Sequence, residues 1–123
     1  MKTLKVILAA LLLAGCQNHQ MTADAVVTML KWEIKNTTEF KPDQKLMIEK
    51  HLIKPKKERY VSDVDSTKAF HLWTVYEESP GAEKCRVIFY DEDEKRYGLG
   101  IKMNGRAYYW ANYGNFIKTL KGM

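Results

Sequence analysis

Side chains able to do chemistry are few and scattered in this sequence. Cys85 and His71 would make a nucleophile and base only if neighbouring strands set them side by side, since a thiol needs an adjacent base to attack at neutral pH. Alternation puts His71 with Trp73 and Val75, which makes it a packed or edge histidine, and Cys85 reads as a small buried hydrophobe. Asp91-Glu92-Asp93-Glu94 offers oxygen ligands for a hard cation. It lacks the glycine and the distal glutamate of an EF-hand loop, so it reads as an exposed acidic turn with at most weak affinity for calcium. His19, His51 and His71 are far apart, and no His-x-x-x-His or paired-cysteine spacing indicates zinc. Ser62, Ser66 and Ser79 lack a nucleophile-elbow context. The sequence thus nominates no catalytic residue, no metal ligand and no cofactor, and the expectation is a protein that is not an enzyme.

Two stretches resemble known families. Asp63-Val64-Asp65-Ser66-Thr67 resembles the Asp-x-Asp-x-Thr pattern of haloacid-dehalogenase phosphatases, in which the first Asp attacks phosphorus and the second handles a proton. That family needs a parallel sheet with crossover helices, a downstream Lys and further carboxylates for magnesium. Here the flanking strands read as antiparallel, and a polar turn is the better reading. Leu13-Ala14-Gly15-Cys16 resembles the lipobox of bacterial lipoproteins. It stands in register with a secretory leader, Lys2 and Lys5 followed by an unbroken apolar run from Val6 to Ala14, too short to span a bilayer. The resemblance implies that residues 1–15 are removed, that the Cys16 thiol is joined to diacylglycerol, and that the new amino terminus takes a further acyl chain such as palmitate. Two or more chains anchor a protein stably where one is marginal. Gln17 takes the position at which Asp holds Gram-negative lipoproteins at the inner membrane. That implies the outer membrane, periplasmic face. The plain alternative is a leader cysteine discarded with its peptide.

Beyond the leader, residues 16–21 read as a lipidated cysteine with a short leash and residues 22–123 as a single domain. The formal charge of +5 falls to +3 once Lys2 and Lys5 leave with the leader. So mild an excess, in this compartment, argues against nucleic acid as a partner. With Cys16 in a thioether, Cys85 has no disulfide partner in the chain.

Thr22 can cap a helix over Ala23–Lys35, whose apolar face is Val26, Leu30 and Ile34. A second helix runs from Pro42 or Asp43 to about Leu52. Lys54-Pro55-Lys56-Lys57-Glu58-Arg59 then reads as a basic connector, either solvated or drawn to anionic headgroups. Every aromatic residue but Trp32 and Phe40 falls at or after Tyr60, among Val, Ile and Thr, as strands prefer. Five are predicted, near Glu58–Asp63, Lys68–Glu77, Lys84–Tyr90, Arg96–Met103 and Arg106–Ala111, with a short helix over Tyr113–Lys121. Short turns between them imply an antiparallel meander.

Asn104-Gly105 is a strong two-residue hairpin signal, and it sets Gly100 opposite Tyr109, Ile101 opposite Tyr108 and Leu99 opposite Trp110. Tyr97, Leu99, Ile101, Met103, Tyr108 and Trp110 then make the better core face. Gly98, Gly100, Lys102 and Tyr109 make a shallow floor on the other side, with Tyr113 nearby. That floor is the candidate partner-binding surface, although glycines there also serve to bend a sheet or admit a packed helix. An odd-length turn is expected within Asp91–Lys95, which puts Cys85, Val87 and Phe89 beside Ile101, Leu99 and Tyr97, apolar against apolar.

The architecture expected is α+β: one or two N-terminal helices packed on a five-stranded antiparallel meander sheet, with a short C-terminal helix. The function expected is that of a small membrane-anchored periplasmic lipoprotein, a non-enzymatic protein-binding module of assembly, inhibitor/immunity or exclusion type. Its partners would be the membrane, through acyl chains, and an envelope protein. The alternative is a carrier or sensor of lipid or another small ligand, with a pocket between helix and sheet lined by Trp32, Trp73 and Trp110.

Overall fold

The computed structural model describes residues 20–62, 64–65 and 67–123; Cys16, the lipobox, the leash as far as His19, Asp63 and Ser66 lie outside the described residues. Two helices, α1 (Ala23–Lys35) and α2 (Pro42–His51), precede five strands, β1 (Leu52–Ser62), β2 (Ala69–Glu77), β3 (Lys84–Asp91), β4 (Arg96–Met103) and β5 (Arg106–Gly114), and α3 (Phe116–Lys121) follows them. Each helix starts on a cap. The Thr22 hydroxyl accepts the Ala25 N–H at 3.1 Å, the Gln44 side chain accepts the Lys41 N–H at 2.8 Å ahead of Pro42, and Asn115 accepts the Lys118 N–H at 2.9 Å. Asp24 and Lys35 sit at the ends of α1 that favour their charges. Val26 and Leu30 on α1 are buried, as is Ile48 on α2.

The sheet overturns the expected open antiparallel meander. It closes into a barrel in the order β1–β2–β3–β4–β5, with β5 returning to β1. A five-stranded meander reverses direction at every turn, so its first and last strands run the same way and can close only in parallel. Tyr60, Val61 and Ser62 accordingly pair with Ala107, Tyr108 and Tyr109, and the sheet is mixed. Turn signals in the sequence report each hairpin separately. Closure depends instead on curvature, which bulges supply between Leu52 and Lys56, between Thr74 and Tyr76, and twice along the β4–β5 ladder.

Three local readings change with it. Lys54–Arg59 is part of β1 rather than a connector, with Pro55 buried at the register shift where its missing N–H interrupts no regular ladder. The β3–β4 turn leaves four residues between Asp91 and Arg96, an even number, so Cys85, Val87 and Phe89 face Lys102, Gly100 and Gly98. The odd-turn reading assumed one buried face, whereas this wall is packed on both. Leu99 stands opposite Ala111, because a bulge inserts Trp110 into β5.

Two cores share the barrel wall. Outside it, the three helices and the α1–α2 connection bury Val26, Leu30, Phe40, Ile48, Phe116, Ile117 and Leu120 against Trp73, Val75, Tyr76, Ile88, Tyr90, Tyr97 and Leu99. Inside, Tyr60, Leu72, Cys85, Val87, Phe89 and Ala107 fill the lumen, with Tyr109 packed on them.

Candidate functional site

The β4–β5 hairpin forms as its Asn-Gly turn requires: Asn104 and Gly105 both have positive φ, and Gly100 faces Tyr109. Its two sides exchange the expected roles. The floor of Gly98, Gly100, Lys102 and Tyr109 lines the barrel interior, and Tyr113 lies apart on the surface against Gly122. Both glycines are there for space. A Cβ on Gly98 would overlap the Phe89 ring and the Ala111 carbonyl, and one on Gly100 would stand 2.5 Å from the Tyr108 carbonyl oxygen and 3.0 Å from the Tyr60 ring. Tyr60, more than Tyr109, covers Gly100.

Lys102 anchors a charged cluster at one mouth of the barrel. Its ammonium lies 2.7 Å from Glu58 and 2.7 Å from Glu77, and Lys56 adds a contact to Glu77 at 3.3 Å. Thr74 donates its hydroxyl proton to Glu58, so the Tyr60 hydroxyl must donate to Thr74. Two carboxylates therefore face two ammonium groups, and each carboxylate accepts from at least two donors. Burial alone would raise the Glu77 carboxyl, but hydrogen bonds and charge from Lys102 and Lys56 outweigh it and hold it below its ordinary value. Burial would lower Lys102, and the two glutamates reverse that and raise it. Burial pushes the Tyr60 phenol far above its ordinary value. The cluster is a set of mutually neutralised ions with no uncommitted acid or base.

Sequence alternation misses Glu77. Counted from Trp73 and Val75 it belongs outside, and only the bulge at Val75 turns it into the lumen. Glu58 was within reach, being two residues from Tyr60 on the same face.

The other nominated groups do not converge. Cys85 is buried in the lumen, whereas His71 is exposed on the outer side of β2, between the inward Phe70 and Leu72. The wall separates the pair. The strands around the Asp-x-Asp-x-Thr stretch pair antiparallel, and Asp65 spends its carboxylate locally on the Thr67 N–H at 3.0 Å and hydroxyl at 2.6 Å, which holds it below its ordinary value. In the acidic turn, Asp91 accepts the N–H groups of Asp93 and Glu94. Glu92 turns away to accept the Trp73 indole N–H at 2.7 Å, the Met21 N–H at 3.3 Å and the Lys57 ammonium at 3.3 Å. This latch fixes the chain ahead of α1 to the β3–β4 turn. Among the described residues no group of three His, Cys, Asp or Glu is placed to hold a metal ion.

The opposite side of the hairpin is only partly covered. Ile101, Tyr108 and Val61 are neighbours across β4, β5 and β1 on the outer wall, with Met103 beside them, and Trp110, left without a partner in the ladder by the bulge, is 44% exposed. Of the pocket tryptophans, Trp32 and Trp110 are exposed and Trp73 is buried in the outer core, so they line no common pocket. Among the described residues no helix is long and apolar enough to cross a membrane. No family model matches the chain, and comparison with curated proteins and with solved structures finds none that matches.

Proposed function

We propose that this protein is a lipid-anchored envelope protein, held on the periplasmic face of the outer membrane by acyl chains on Cys16, that binds another envelope protein without catalysing a reaction. The observation that carries the binding reading is the outer strip of Val61, Ile101, Met103, Tyr108 and Trp110. Trp110 is exposed and Ile101, Met103 and Tyr108 are partly so around the buried Val61. An apolar strip with an open aromatic anchor is what a protein contact covers, and Trp and Tyr dominate the energetics of such contacts. The filled lumen supports the same reading from the other side, since its polar groups are committed to each other.

A photoreactive phenylalanine analogue placed at Trp110 in the acylated protein tests it. One defined protein adduct is expected, lost when Tyr108→Glu is added and weakened in Cys16→Ser, which should release the domain into the soluble periplasm. Adducts only with lipid would defeat the protein-binding reading, and membrane retention of Cys16→Ser would defeat the anchor.

A further inference from the structure

We propose that one acyl chain carried by Cys16 folds back into an apolar groove between α1 and the start of β1; the proposal rests on the lipoprotein reading above. The groove encloses about 330 Å³ and is lined by Val27 and Leu30 from the helix and by Leu52, Ile53 and Pro55 from the strand, with Asp24, Lys31 and Lys54 as its polar members. It reaches the lower end of the size range of ligand pockets. Such a lining offers water almost nothing to bond to, so a hydrocarbon chain is its natural occupant.

The groove follows from how the two elements meet. Val26 and Leu30 pack on the outer core, and Val27, one step round the helix, is left at the margin. Opposite it, β1 shifts register between Leu52 and Lys56, so the strand leaves the regular ladder with β2 where the helix passes. Helix and strand therefore splay, and the gap between them keeps its apolar lining. Lys31 and Lys54 stand at the rim, where their aliphatic stems can lengthen the apolar walls while the ammonium groups stay in water.

The reach is right for this occupant. Glu92 pins the Met21 N–H, α1 starts two residues later, and Asp24 in its first turn borders the groove. Four residues lie between Cys16 and Met21, five steps along the chain, which limits the tether to about 18 Å. A chain on Cys16 can thus reach this groove without leaving its own domain. With two or more chains on the cysteine and amino terminus, one can be housed while the rest hold the bilayer. Housing matters most when the protein is away from a membrane, since the groove then removes a chain from water.

Growth of the host on a diazirine-bearing palmitate analogue, followed by irradiation and peptide mapping of the purified protein, tests both levels. The analogue should appear on the Cys16 peptide, and an intramolecular crosslink should join it to Val27–Lys31 or Leu52–Pro55. In Val27→Asp the crosslink should fall by about tenfold, because the carboxylate brings a charge into an apolar cleft. Ile53→Ser serves as the second variant, and circular dichroism verifies the fold of each. A Cys16 peptide without the analogue would sink the lipoprotein reading and this inference with it. An acylated Cys16 whose crosslinks reach only bilayer lipid or other proteins would overturn the inference alone.

Discussion

The two ends of the barrel lumen are built from opposite materials. At one end Phe70, Tyr109, Phe89 and Tyr60 follow one another with ring centroids 5.3, 5.4 and 5.2 Å apart; at the other, Lys56, Glu58, Glu77 and Lys102 neutralise one another. They meet where the Tyr60 hydroxyl bonds Thr74. Rings gain from burial wherever they fit, and well-placed pairs add about 0.5–1.5 kcal/mol beyond area. Ions taken from water lose hydration that their attraction only roughly repays. The difference teaches that the aromatic end should hold the barrel together, while the ionic end should contribute geometry and pH dependence.

Gly98→Val should break the comparison at its root, because the new side chain claims space already held by the Phe89 ring and the Ala111 carbonyl. Loss of soluble, folded protein is expected, and recovery of a normal circular dichroism spectrum would contradict the packing described. Phe89→Ala should cost about 3–5 kcal/mol in urea unfolding, the range for a buried aromatic truncated in a core. Lys102→Ala should cost less, about 1–3 kcal/mol, by leaving Glu58 and Glu77 without their shared donor at a mouth that water partly reaches. Should Lys102→Ala prove the more damaging of the two, the assignment of stability to the aromatic end fails. Lys102→Met combined with Glu58→Gln and Glu77→Gln sharpens the test. It should regain part of the loss, since the unpaired charges go with the ammonium.

Local features of this chain were legible because local chemistry sets them. The Thr22 cap, the apolar positions of α1 and the Asn104-Gly105 turn each depend on residues within one turn of one another. Register in the last hairpin followed from that turn as far as Gly100 opposite Tyr109. Beyond it the inserted Trp110 shifts every later pairing, and nothing in the alternation of β5 announces the insertion. Closure was illegible for a related reason: Tyr60 and Ala107 meet across 47 residues through curvature that no single turn encodes. The candidate floor failed by a premise about water. Small residues beside one tyrosine read as an open surface when one face of the sheet is taken as wet, yet in a closed barrel they are the space that Phe89 and Tyr60 occupy. Glu77 shows the same limit, being turned inward by a bulge.

The smallest expected effect is the pH signature of the ionic end. Glu77 is held below its ordinary value of 4.5, so its contribution to stability is complete above that value and drains away as pH falls through the lower folded one. Lys102 is held above its ordinary 10.5, so its contribution is complete below that value and is lost only as pH rises through the higher folded one. Between these limits the pair should add nothing to the slope of stability against pH. Melting temperatures measured from pH 7 down to pH 3 should therefore fall less in Glu77→Gln than in the parent protein. The remaining acid loss belongs in part to Glu78, held low by its hydrogen bonds to Arg86, and to Glu92. For Glu92 burial would raise the carboxyl, and the Trp73, Met21 and Lys57 contacts outweigh it. Phe89→Ala, which removes no carboxylate and no ammonium group, should lower the whole curve across this acid range without changing its shape. An unchanged acid branch in Glu77→Gln would mean that the mouth is wetter than its contacts indicate and that its ions neither cost nor contribute much in the folded barrel.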